Sequence, residues 1–134
     1  MISAIMLLLT AVSGTNGAAN PPRSLSPAEA AYSLEGMLKP VTVKLQIGTV
    51  EKRSGGWVLI ANAKLEGRDR FEVELSPAVA ADFARIGVSD LVSHFEGREI
   101  EVRGRIGGMS VWSEPMYFIK VIRVESLDQF RAVR

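Results

Sequence analysis

The stretch Phe95-Glu96-Gly97-Arg98-Glu99-Ile100-Glu101-Val102-Arg103-Gly104-Arg105-Ile106 decides the fold. From Glu99 onward, charged and β-branched residues alternate: Glu99, Glu101, Arg103 and Arg105 on one side, Ile100, Val102 and Ile106 on the other. A period of two is the signature of a half-buried strand. Gly104 sits inside it, where a glycine marks a bend. Gly97 closes whatever precedes, so a turn feeds directly into a strand that coils.

Upstream, the pattern changes to helical spacing. Ser76-Pro77 supplies a cap and a first-turn proline; Val79, Ala80, Phe83, Ala84 and Ile86 follow, and Gly87 stops the helix. Ser89-Asp90 starts a further turn through Leu91, Val92 and Phe95. Three strands come before that: Val41 to Val50 with Gly48 as a bulge, Trp57 to Ala61, and Phe71 to Leu75. Lys52 to Gly56 is the first hairpin turn, and Asn62 to Asp69 a charged loop. Ser26-Pro27-Ala28-Glu29 opens a short helix with a capping box, ended by Gly36. Downstream, Gly107 to Pro115 reads as a loop, Met116 to Val124 as the fifth strand, and Ser126 to Phe130 as a last helical turn.

The expected fold is therefore all-β with short helices: a five-stranded Greek-key barrel with a helix between strands three and four. Mid-strand glycines let the strands coil enough to close, and the order is that of the OB-fold. A small α+β roll with an antiparallel sheet is the alternative. The segments Val41-Thr42-Val43-Lys44-Leu45, Phe71-Glu72-Val73-Glu74-Leu75 and above all Phe95 to Ile106 resemble bacterial OB-fold domains. In those, an aromatic-x-Gly-basic turn leads into an Ile-x-Val-x-Gly strand. The resemblance spans Ser26 to Val124, and exported proteins built from one such domain share its plan. It implies a fold, and little about function.

The 134 residues suit one domain with one core. Hydrophobic content of 47% with 23% charged residues excludes a disordered chain, and no cysteine excludes disulfides, thiol nucleophiles and thiolate metal sites. Ile2 to Val12 is an apolar run shorter than the roughly 20 residues of a bilayer span. Small-x-small pairs at Ala11-x-Ser13 and Gly17-x-Ala19 follow it, so residues 1–19 read as a secretory signal peptide, although no Lys or Arg precedes the run. Residues 20–25 then form an extended tether and 26–134 the domain, secreted or periplasmic, with no stable membrane span after cleavage.

Little here carries catalytic chemistry. His94 is the one imidazole, read as a surface residue; Glu96 and Asp90 are its nearest carboxylates. One His cannot build a zinc site. No serine sits in a Gly-x-Ser-x-Gly elbow, and Gly104 to Gly108 opens no helix as a phosphate loop must. Glu72 with Glu74, and Glu99 with Glu101, read as a solvated charged face paired with Lys44, Arg103 and Arg105. The chain is expected to be non-enzymatic, with no cofactor and no metal.

The binding residues read from the sequence are Lys52, Arg53 and Trp57 in and after the first hairpin turn, Arg70, and Met109, Trp112 and Tyr117 about the last loop. The first and last loops are expected to approach each other, with the two tryptophans flanking one groove. The reading preferred on sequence is an exported module that recognises a protein or small molecule there. The alternative is weak binding of single-stranded nucleic acid on the same surface, disfavoured by the net charge of +1 and by Glu72 and Glu74, which face outward and would repel phosphate.

Overall fold

The structure, a computed structural model, describes residues 23–133. The signal peptide and most of the tether lie outside the described residues. Seven strands form one sheet: β1 (Val41–Arg53), β2 (Gly56–Ala61), β3 (Arg70–Leu75), β4 (Glu99–Gly104), β5 (Ile106–Val111), β6 (Tyr117–Val124) and β7 (Phe130–Val133). Their order is β5-β6-β3-β2-β1-β4-β7. Four short helices accompany them: α1 (Pro27–Ala31), α2 (Leu34–Leu38), α3 (Pro77–Arg85) and α4 (Leu91–Phe95), with a 3-10 turn at Leu127–Gln129.

The thirteen residues of β1 serve two ladders. Val41 to Gln46 pair with β4, and Ile47 to Arg53 pair with β2. The register shifts between Ile47 and Thr49, so Gly48 is the bulge its sequence position implies. Every neighbouring pair is antiparallel except β3 with β6. β4 lies near one end of the strand order and β5 is the other end, yet a single residue, Arg105, joins them in the chain. The sheet must therefore curl to bring its ends together. This connectivity is OB-fold-like, with α3 and α4 between β3 and β4.

Three sequence expectations need correction. The strand count is seven, not five. Strand four breaks at Arg105, and its continuation, expected as a loop from Gly107, pairs residue for residue with β6 as far as Val111. Two successive glycines hide that alternation, and the pairing comes from β6 rather than from local propensity. β7 adds the seventh strand on β4. Lastly, Gly36 does not end a helix. α1 stops at Ala31, and Gly36 lies buried inside α2, where a Cβ would stand 2.6 Å from Ile106 Cδ1. The glycine lets α2 settle against β5. The N-terminal capping box is present as read: Ser26 Oγ accepts from Glu29 N at 3.1 Å, and Glu29 Oε1 from Ser26 N at 2.9 Å.

The core is the concave side of the sheet. Val43, Leu59, Val73, Leu75, Ile122 and Val124 are fully buried on it. Phe83 of α3 and Phe95 of α4 meet edge to face at 5.4 Å, and Phe130 of β7 stacks on Phe95 at 5.7 Å. Such ring pairs add roughly 0.5–1.5 kcal/mol beyond burial. Among the described residues no helix is long and apolar enough to cross a membrane.

Candidate nucleic-acid interface

Strand parity fixes what the outer face presents. Phe71, Val73 and Leu75 point to the core, so Arg70, Glu72 and Glu74 point away from it. Register extends that face across neighbouring strands. One row reads Thr49, Ile60, Glu72, Val121, Gly107; a second Glu51, Val58, Glu74, Arg123; a third Arg70, Ile119, Met109. Tyr117 continues the same face two residues along β6.

At the centre lies an arrangement the sequence did not suggest. Glu72 is only 2% exposed. Arg53 reaches over from β1, its Nη1 at 3.1 Å from Glu72 Oε1 and its Nη2 at 3.4 Å from Oε2. From the other side Arg70 Nη2 lies 3.0 Å from Oε2. One carboxylate is thus held between two guanidiniums, and Arg53 also pairs with Glu51 at 3.0 Å. Hydrogen bonds to Glu72 hold Arg53 above the ordinary arginine value, opposed by burial. Glu74 pairs with Arg123 at 2.7 Å. The outward carboxylates are therefore neutralised in place, and the expectation that they repel phosphate is corrected. Partners differ from those read in the sequence as well: Lys44 does meet Glu99, at 3.9 Å, but Arg103 hydrogen-bonds Thr42 instead.

Three arginines on this face, Arg53, Arg70 and Arg123, balance Glu51, Glu72 and Glu74. Arg68 and Arg105 have no ion pair among the described residues and tip the sum positive. Arg68 lies 4.8 Å from the centre of the Tyr117 ring, a cation–π contact. Asp69 anchors this corner: its Oδ1 accepts from Phe118 N at 2.8 Å and its Oδ2 from the Tyr32 hydroxyl at 2.9 Å. Beside it, Trp112 is 83% exposed at the β5–β6 turn. Between Arg105, Arg123 and Met109 runs a shallow groove of about 260 Å³ floored by Gly107 and Val121.

The seven residues read from sequence therefore divide. Arg53, Arg70, Met109 and Tyr117 share the outer face, and Trp112 stands at its end. Lys52 and Trp57 do not join them. Trp57 has the parity of Leu59 and packs half-buried against the core, with Lys52 5.9 Å above its ring. Register also separates the two loops. Trp57 pairs with Leu75, which pairs with Val124, whereas the β5–β6 turn begins beyond Tyr117. Seven steps of β6 lie between, about 23 Å at ~3.3 Å per residue. The two tryptophans do not flank one groove. Glu72, as the carboxylate at the centre of the face, is the member sequence reasoning missed. The spacing Arg70-x-Glu72 places them on one face, but nothing local reveals that Arg53 closes the trio.

His94 is half-buried rather than free on the surface. It meets Phe95 edge to face at 4.7 Å and tilts on Phe83 at 5.9 Å. Burial, then the charge of Arg98, lowers its pKa. Among the described residues no group of three His, Cys, Asp or Glu is placed to hold a metal ion.

No family model matches the chain, and no curated protein matches it. Among solved structures it is similar to the Plasmodium falciparum SSB complex with ssDNA, at 16% identity and a TM-score of 0.37, over 72% of this chain and 92% of that one. That protein is one that holds single-stranded DNA. The expectation of a module for a protein or small ligand at a convergent loop pair is corrected by the separation of the loops, which removes the geometry on which it stood.

Proposed function

We propose that this chain is a non-enzymatic domain that binds single-stranded nucleic acid, weakly and without sequence preference, across the outer face of β2, β3, β6 and β5. The observation that carries the reading is the Arg53–Glu72–Arg70 clamp. Glu72 fixes two guanidiniums on the sheet face and uses only part of their donor capacity, since each guanidinium has five N–H donors. Both arginine side chains keep more than a third of their surface exposed, 38% and 39%. Trp112 and Tyr117 supply ring surface on which bases stack, worth roughly 1–3 kcal/mol per base. The near-balance of charge sets the affinity low. In this reading the closed five-strand Greek-key barrel is the frame, with β4 and β5 acting as one strand kinked at Arg105. Export through a leader at residues 1–19, to the periplasm or medium, belongs to the same proposal and rests on the apolar run Ile2 to Val12; the intact mass of exported protein tests it.

The experiment is fluorescence anisotropy of labelled single-stranded DNA and RNA titrated with the protein at low and physiological salt. With Arg53 and Arg70 as the two phosphate contacts, log affinity should fall against log salt with a slope of about −1.4. Arg70→Gln should weaken binding and flatten that slope by about 0.7. Absence of binding at low salt would overturn the proposal.

A further inference from the structure

Seven of the nine large hydrophobic side chains exposed on the described surface lie on two neighbouring elements. Leu34, Met37 and Leu38 are on α2; Met109, Trp112, Met116 and Phe118 are on the β5–β6 hairpin or its turn. A groove lined by Met37, Gly107, Met109, Phe118 and Lys120 joins them. β5 is the last strand of the sheet, so one row of its backbone N–H and C=O groups has no strand partner among the described residues. Its sequence, Ile106-Gly107-Gly108-Met109-Ser110-Val111, contains no charge and no proline, and Gly107 to Ser110 are all exposed. Natural edges are blunted by lysine, proline, a bulge or a cover. This one has no lysine, proline or bulge, and α2 meets it at the Ile106 end. An exposed apolar patch beside an unprotected edge marks an interaction site.

We infer that β5 pairs antiparallel with β5 of a second copy of this chain, continuing the sheet across a two-fold axis. The edge is complementary to itself. In a two-fold ladder the outward backbone groups must face each other, so residues of like parity pair. Centred on Met109, this places Gly107 opposite Val111 of the second copy, and Gly108 opposite Ser110. No like charges then meet within the ladder. At each end Arg105 falls opposite Ser113 of the other copy and beside its Glu114. Neither Arg105 nor Glu114 has an ion pair among the described residues, and the symmetry supplies two such opposite-charge pairs. The two Met109 side chains meet on the axis on the outer face, while Phe118, of opposite parity on β6, lies on the other face of the ladder. An isologous contact of this kind closes on itself and does not propagate.

The test is sedimentation equilibrium of the full chain from micromolar to millimolar concentration, without nucleic acid. The expected result is a reversible monomer–dimer equilibrium. Arg105→Glu should weaken the dimer about tenfold, because two opposite-charge pairs become like-charge pairs. The double variant Arg105→Glu with Glu114→Arg should restore it. Met109→Lys, which puts two cations on the axis, should leave a monomer with an unchanged circular dichroism spectrum. A wild-type chain that stays monomeric throughout would overturn the inference. So would a dimer indifferent to Met109→Lys, which would lie on another face.

Discussion

Glu72 and Glu74 are the same residue type, two apart on the same strand, facing the same way, yet their surroundings differ. Glu74 has one exposed partner, while Glu72 is almost sealed beneath two. Glu72→Gln should therefore act in two directions. The fold loses a buried charge-assisted pairing, and because both arginines keep access to water the cost should be about 1–3 kcal/mol, read as a lower melting temperature. Single-stranded DNA should bind more tightly, because Arg53 and Arg70 are released toward phosphate. If anisotropy shows affinity falling in step with stability, Glu72 positions the arginines rather than restraining them. Trp112→Ala should weaken binding and leave the melting temperature unchanged, since the side chain is 83% exposed. His94 brings a pH dependence. Its folded-state pKa lies below the unfolded value of about 6.5, so the unfolded chain takes up the proton first. Stability should be full above that value and decline as pH falls through it. Thermal melts from neutral to mildly acidic pH check this, with His94→Phe reducing the decline. The site was only half legible at this scale. Charges and rings can be named from a sequence, but whether Arg53 reaches Glu72 depends on register across β2, which no local pattern encodes.

At the scale of elements, local rules were dependable wherever one strand or helix could be judged alone. The Ser26, Ser76 and Asp90 caps, the Gly48 bulge and the β3 alternation are all present. They failed where a neighbour decides. β5 is a strand because β6 pairs with it, despite two glycines, and Gly36 sits within a helix because Ile106 leaves no room for a side chain. Gly104 is instructive for the same reason. Its sequence position suggests a bend, but the chain breaks its pairing at Arg105, one residue later. What requires glycine at 104 is proximity: a Cβ there would stand 2.7 Å from Ile122 Cγ2. Gly104→Val should thus destabilise by overpacking, about 1–3 kcal/mol, and Gly104→Ala should already show part of that loss. Equal stability of both variants with wild type, by chemical denaturation, would mean that Ile122 gives way freely.

Over the whole molecule, the order from β1 through β3, α3 and α4 to β4 was legible, because each change of period there announces a new element. The sheet's ends were not, since the union of β4 with β5 and the docking of β7 are long-range facts. The outer face gains its character at this scale too: three arginines and three glutamates are assembled from three strands, β1, β3 and β6, into a surface close to neutral. The parallel pairing of β3 with β6 has a kinetic consequence. The β1–β2–β3 meander needs only short connections, but β6 cannot join β3 until the chain from Ser76 to Met116 has been gathered, with α3, α4, β4 and β5 inside that excursion. Closing so long a loop costs entropy before any contact repays it. Folding should be paced by this closure. In pulse-labelled hydrogen exchange the amides of β1 and β2 should gain protection first, and those joining β3 to β6 last.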